Sequence, residues 1–165
     1  MTDDLKWHRN TQNLVQRAYK RMSILRNLVA FNVPKYDLVI IYTLYICSII
    51  EQSCVVWGPS LTESDAAALE RVQKCSLRII YDTEYISYNH ALAKSGLSDL
   101  SSRRVKLLQK FADKCIQNEA TKFMFPLNES MVNTRHHERY KVQMAHHTRL
   151  KNSSIIAMSQ YLNTQ

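Results

Sequence analysis

Basic side chains recur at helical spacing in two stretches of the sequence, and they are the residues best suited to bind a ligand. Arg71, Lys74 and Arg78 are three and four residues apart, so at about 100° per residue they fall on one side of a helix. Such a row can contact the phosphates of a nucleic-acid backbone. We call these three residues the first basic row.

A second group of cations lies in the next long helical pattern. This group, the second basic row, consists of Arg103, Arg104, Lys106, Lys110 and Lys114. Four of its members follow one another on one side of the predicted helix, and Arg104 stands beside them. Together with the polar face of the first predicted helix, the two rows are expected to flank a phosphate backbone.

A second interpretation of both rows stays open. Any solvent-facing helix surface carries lysine and arginine, and those charges need no ligand. Glu70 and Asp113 also lie close to the first and second basic rows in the sequence, and we expect each acid to neutralise part of its row. The sequence therefore predicts a nucleic-acid contact but leaves an ordinary solvated face as the alternative.

Paired histidines and aspartates suggest metal sites, but their surroundings in the sequence do not support one. A zinc site needs three or four ligands at fixed spacings, commonly including cysteines. The pairs His136-His137 and His146-His147 are followed and preceded by no nearby cysteine, since the last cysteine of the chain is Cys115. Asp3-Asp4 is explained by the first turn of a helix, where acids complement the helix dipole. No glycine-rich phosphate loop or nucleophile motif is present. We therefore expect no metal, no cofactor and no catalytic residue.

Aromatic side chains accompany the cations and can stack on bases. Trp57, Tyr42 and Tyr45 stand at helical spacing beside aliphatic residues, so we expect them in the core. For Tyr85 and Tyr88 both interpretations stay open, namely stacking on bases and packing in the core.

The composition predicts an all-α fold and an anionic partner. Only two glycines and three prolines occur in 165 residues, so the tight turns of β-hairpins are scarce. The net charge of +8 favours nucleic acid as the partner, with an acidic membrane surface second. Residues 38–50 are the most apolar stretch, but a membrane span needs roughly 20 such residues. We expect a buried core helix there, and no membrane contact.

Four cysteines occur at positions 47, 54, 75 and 115, without a CxxC pair and without a leading secretory segment. We expect reduced, mostly buried thiols in an intracellular protein, cytoplasmic or nuclear.

Hydrophobic periodicity predicts a helical bundle of about five helices followed by an irregular C-terminal segment. The helices are expected at residues 5–29, 34–53, 63–81, 87–94 and 100–117, with a short last helix at 153–162. The second helix is apolar around most of its circumference and is expected at the centre of the bundle. The residues expected to face inward on the third and fifth helices are Ala68, Leu69, Val72, Ile79, Ile80, Val105, Leu108, Phe111, Ala112 and Cys115. We expect a bundle domain over residues 1–118 and a C-terminal extension over 119–165.

The order of the segments along the chain resembles that of a known protein family. The segments are LKWHRNTQNLVQRAYKRMSILRNL, VPKYDLVIIYTLYICSIIEQSCVVWGPSL, LERVQKCSLRII, YNHALAKSGLSDLSSRRVKLL and RLKNSSIIAMSQYLN. In this order they resemble the region after the palm in reverse transcriptases of non-LTR (LINE-type, jockey-like) retrotransposons. The resemblance implies a thumb-like region with a C-terminal extension, which helps to hold the template-primer duplex. It also implies that the fingers and the palm, with its metal-binding aspartates, are missing.

The sequence supports two hypotheses about function. The first is a truncated fragment of an RNA-directed DNA polymerase, no enzyme by itself, which binds RNA/DNA duplex weakly and without sequence specificity through the two basic rows. The second is a helical protein-protein interaction module without nucleic-acid function. Its partner would be the missing palm or another protein, docked on an exposed apolar surface that includes Trp57 and Ile50.

Overall fold

A computed structural model describes residues 7–128, 139–146 and 148–165, and it confirms the all-α class. The helices are α1 (His8–Ala30), α2 (Lys35–Ile50), α3 (Cys54–Trp57), α4 (Glu63–Tyr81), α5 (Tyr88–Ser95), α6 (Leu100–Gln117), α7 (Glu119–Lys122) and α8 (Ser154–Leu162), with one further helical turn at Thr148–Lys151. In the described ranges, the extended chain pairs at one isolated antiparallel bridge between Leu127 and Tyr140.

The chain forms two compact units. The first takes the chain up to Gln52 together with Leu61–Arg103, and the second takes Ser53–Ser60 together with the chain from Arg104 onward. This division differs from the boundary expected after residue 118. The difference arises because the residues of α6 from Arg104 onward share a core with the C-terminal residues, which their helical periodicity alone does not indicate.

In the first unit α1 packs along α4, and α2 packs against both. The Nδ1 atom of His8 lies 2.7 Å from Oδ1 of the buried Asp65, which joins the start of α1 to the start of α4. The buried apolar side chains of this unit are Leu14, Ala18, Met22, Leu25, Leu38, Tyr42, Ile46, Cys47, Ile49, Ile50, Leu69, Val72, Leu77, Ile80, Tyr81, Ala91 and Leu100. Ala68 and Ile79, which were expected inside, are half-buried.

The second helix departs from its predicted form in length and in burial. It ends at Ile50, and Ser53 adopts a left-handed backbone conformation with φ 54° before α3 begins. Its outer side is exposed at Tyr36 (77%) and Leu44 (71%), so α2 lies at the edge of its unit. Tyr45, expected in the core, is also exposed, and the guanidinium of Arg21 lies 4.2 Å from its ring centroid.

The second unit has a smaller core, built from residues of α6 and α8 together with Phe125 and Tyr140. Its buried residues are Ala112, Cys115, Phe125, Tyr140, Met158 and Leu162. The N–H of Tyr140 donates to the side-chain oxygen of Asn163 at 2.7 Å, and the Asn163 amide donates back to the Tyr140 carbonyl at 2.9 Å. Val105 and Phe111 are exposed, so the prediction that they face inward was wrong.

Trp57 and Ile50 are buried, with 2% and 1% of their surfaces exposed, which contradicts their expected place on an exposed apolar surface. Cys47, Cys54 and Cys115 are buried and Cys75 is half-buried, as the sequence predicts for most of the thiols. No single helix in the described part of the chain is long and apolar enough to cross a membrane, and Lys35–Ile50 reaches that length and composition only when Cys54–Ser60 is added across a break.

Candidate nucleic-acid interface

The first basic row is presented by α4, whose opposite side is buried. The helix begins at a cap in which Thr62 Oγ1 accepts a hydrogen bond from the N–H of Asp65 at 3.2 Å. Arg71, Lys74 and Arg78 are all exposed. At a rise of 1.5 Å per residue the row extends about 10 Å along the helix axis. That length corresponds to about three nucleotides of one strand of a duplex.

Glu70, the acid expected to neutralise part of this row, is bound elsewhere. Its carboxylate accepts a hydrogen bond from the Tyr88 hydroxyl and another from the N–H of Leu100 at 3.2 Å, where α6 begins. Among the described residues, no carboxylate forms an ion pair with a member of the first basic row. The three positive charges are therefore available to an external anion.

Two tyrosine rings lie beside the first basic row. The ammonium of Lys74 lies 5.0 Å from the centroid of the Tyr88 ring, and the guanidinium carbon of Arg78 lies 5.2 Å from the centroid of the Tyr85 ring. Both distances fall within the range of cation–π contacts. The rings hold the two cations on the outer side of α4.

Tyr88 is fixed by its hydroxyl, because that group donates to Glu70 and accepts from the side-chain amide of Gln73 at 3.1 Å. Burial and then the bond to Glu70 raise the pKa of Tyr88, so the hydroxyl stays protonated. Tyr85 is half-buried, and in the described part of the chain no group bonds its hydroxyl.

The second basic row is reduced by the structure, since two of its members leave the exposed surface. Arg103 donates from Nε and Nη2 to the two carboxylate oxygens of Glu51, at 2.5 and 2.9 Å, and this pairing raises the pKa of Arg103. Arg104 is buried at 9% exposure, and its Cδ lies 3.7 Å from the position a Cβ would take on Gly58. Neither arginine is presented to a backbone in the way the sequence suggested.

Lys106, Lys110 and Lys114 are exposed on α6. Asp113, the acid expected to neutralise them, accepts hydrogen bonds from the Tyr161 hydroxyl at 3.4 Å and from Gln165 at 3.3 Å. Like Glu70 in the first unit, Asp113 therefore bonds to groups other than the basic side chains near it in the sequence. These three lysines belong to the second unit and the first basic row to the first unit.

Within the described residues no group of three or more His, Cys, Asp or Glu side chains could hold a metal ion. His146 is exposed, while His136, His137, His147 and Asp3-Asp4 lie outside those residues. Burial raises the pKa of Cys47 to about 12, so this thiol is protonated at neutral pH and is a poor nucleophile.

Gln73 is the residue of this region that the sequence interpretation missed. It is fully buried, it accepts a hydrogen bond from the Tyr42 hydroxyl at 2.8 Å, and it donates to the Ser98 carbonyl at 2.9 Å. Its spacing carried a usable signal, because Gln73 stands four residues after Leu69 and four before Leu77, on the buried face of α4. Gln73 joins α2, α4 and the segment before α6, and so stabilises the helix that presents the first basic row.

Comparison with known proteins gives no relative from which to assign this surface. No family model matches the sequence, and no curated protein or solved structure matches it significantly. A function for this surface is therefore inferred from its geometry and its charges.

Proposed function

We propose that this chain binds the phosphate backbone of nucleic acid without sequence specificity, as a thumb-like segment related to the reverse transcriptases of non-LTR retrotransposons. The observation that carries the proposal is the first basic row, in which three exposed cations share one face of α4 and form no ion pair with a described carboxylate. Lys106, Lys110 and Lys114 supply a second such surface on α6. On this proposal the chain holds template and primer, and polymerisation belongs to a palm outside these residues.

The number of cations sets the strength and the salt dependence of binding. A protein that neutralises three phosphates of a duplex shows a slope of about −2.7 in a plot of log affinity against log salt concentration. Affinity through the first basic row alone would then fall about 40-fold between 50 and 200 mM salt.

The experiment is a titration of a labelled RNA/DNA hybrid with the full chain at two salt concentrations, followed by fluorescence anisotropy. The test variant carries Arg71→Glu, Lys74→Glu and Arg78→Glu. A charge-matched control carries glutamate at the exposed residues Lys122, Lys141 and Lys151. We expect the test variant to lose most of the affinity and the control to keep most of it. Affinity that ignores salt, or that survives in the test variant, contradicts the proposal.

A second candidate function, a protein-protein interaction module, is favoured by one observation. Tyr36, Ile40 and Leu44 follow one another at steps of four residues on α2 and are exposed by 77%, 39% and 71%. Exposed apolar side chains at this spacing are typical of a helix face that packs against a partner. Sedimentation of the chain and of a Tyr36→Ser, Leu44→Ser variant separates the candidates, since a monodisperse monomer in both cases argues against this second function.

A further inference from the structure

The first basic row ends beside an aromatic ring whose role in the fold is small. The guanidinium of Arg78 lies 5.2 Å from the ring centroid of Tyr85, which stands in the extended chain between the 3₁₀ turn Asp82–Glu84 and α5. Tyr88 next to it is held by Glu70 and Gln73 and serves the packing of the unit. Tyr85 has no such bond in the described part of the chain, and its ring is partly open to solvent.

An aromatic ring at the end of a row of cations distinguishes between two forms of nucleic acid. In a closed duplex the bases stack on one another, so that an external ring meets only sugar and phosphate. In a single strand the bases are free to stack on tyrosine rings and on the planar guanidinium of arginine, while the cations follow the backbone. The pair formed by Arg78 and Tyr85 offers both kinds of plane at one point.

We infer that the first basic row and Tyr85 together form a binding site for unpaired nucleotides, with higher affinity for a single strand than for a closed duplex of the same sequence. This inference rests on the proposed nucleic-acid binding and specifies its ligand. Arg71, Lys74 and Arg78 neutralise successive phosphates, and a base stacks on the Arg78–Tyr85 pair. Because a single strand releases fewer counterions per phosphate, three contacts give a slope of about −2.1 against log salt concentration, compared with about −2.7 for the duplex.

The experiment compares a labelled single strand with the same strand annealed to its complement, using the full chain. We expect the unsubstituted chain to bind the single strand more tightly. Tyr85→Ala should weaken single-strand binding about 10-fold and leave duplex binding unchanged, because stacking on an aromatic ring contributes about that factor per base. Tyr85→Leu, which keeps an apolar side chain but has no aromatic face, should show the same loss, and Tyr85→Phe should bind as the unsubstituted chain does.

A matched control is Tyr36→Ala, which removes a tyrosine that is 77% exposed on α2 of the same unit and has no cation beside its ring among the described residues. This variant should bind both ligands normally. Circular dichroism of each variant verifies folding.

The outcomes separate the inference from the proposal on which it rests. If glutamate at positions 71, 74 and 78 abolishes salt-dependent binding, but duplex and single strand bind equally and Tyr85→Leu changes neither, the inference is overturned and the proposed function stands. If neither ligand shows salt-dependent binding, both are overturned. Selective loss of single-strand affinity in Tyr85→Ala and Tyr85→Leu supports the inference.

Discussion

The hydrogen bond between Tyr42 and Gln73 is the buried contact whose loss should be most informative about how the first unit is held together. Both side chains are fully buried, and the Tyr42 hydroxyl donates to the Gln73 side-chain oxygen at 2.8 Å. The substitution Tyr42→Phe keeps the ring and removes the hydroxyl, which bonds Gln73 and also the Cys47 side chain. The Gln73 oxygen is then left in the core without a partner and without access to water.

The expected cost follows from that geometry. A buried acceptor that loses its only strong donor destabilises a protein by about 2 kcal/mol, more than the bond contributes in net terms, because desolvation is no longer compensated. Gln73→Leu should cost about 3 kcal/mol, because it deprives the Tyr42 hydroxyl and the Ser98 carbonyl of their partner. The double variant should cost at least 1 kcal/mol less than the sum of the two, since each single change already removes the shared bond.

The assay is urea unfolding followed by far-ultraviolet circular dichroism and by tryptophan fluorescence. Two probes are needed because the chain has two compact units, and coincident transitions establish two-state behaviour. Tyr36→Phe, which removes the hydroxyl of a tyrosine that is 77% exposed, is the matched control and should leave the unfolding free energy unchanged. A change below about 0.5 kcal/mol in Tyr42→Phe together with full additivity in the double variant would refute the reasoning.

Four further outcomes are expected. Thr62→Ala removes the cap of α4 and should lower the unfolding free energy by about 1 kcal/mol in the same urea assay, so an unchanged midpoint speaks against the cap. Glu51→Gln leaves the half-buried guanidinium of Arg103 without its counter-charge and should cost about 2 kcal/mol, an effect that must persist at high salt if burial is its cause. Between pH 9.0 and about 12 the Cys47 thiol remains protonated when folded and ionises when unfolded, so its contribution to stability falls as pH rises through this window. In the native chain, iodoacetamide should accordingly label the half-buried Cys75 well before Cys47, and mass spectrometry of the digested chain would expose the opposite order.

Local signals account for the parts of the fold that the sequence predicts well. The bounds of α4 and α6 match the expected residues, because Thr62 and Asp65 start one helix and the apolar periodicity persists through both. Gly96 ends α5 in the left-handed conformation, with φ 69°, for which glycine is suited. In each case the information lies within a few residues of the feature.

Long-range partners account for most of what the sequence did not predict. Helical spacing places Arg103 in line with three exposed lysines, but Glu51, which directly follows α2 and lies fifty-two positions away, draws the guanidinium into an ion pair. Tyr45 was expected inside because its neighbours in sequence are apolar, yet α2 lies at the edge of its unit. No glycine or proline stands beside Ser53, so the sequence does not indicate that the helix breaks there.

The salt dependence of binding to an RNA/DNA hybrid tests the central claim most directly. We expect the slope of log affinity against log salt concentration to become shallower by about 2.7 when Arg71, Lys74 and Arg78 are replaced by glutamine, because three phosphate contacts are lost. The charge-matched replacement of Lys122, Lys141 and Lys151 by glutamine should leave the slope close to that of the unsubstituted chain. Equal slopes in the two variants, or a slope near zero before any substitution, would contradict the account.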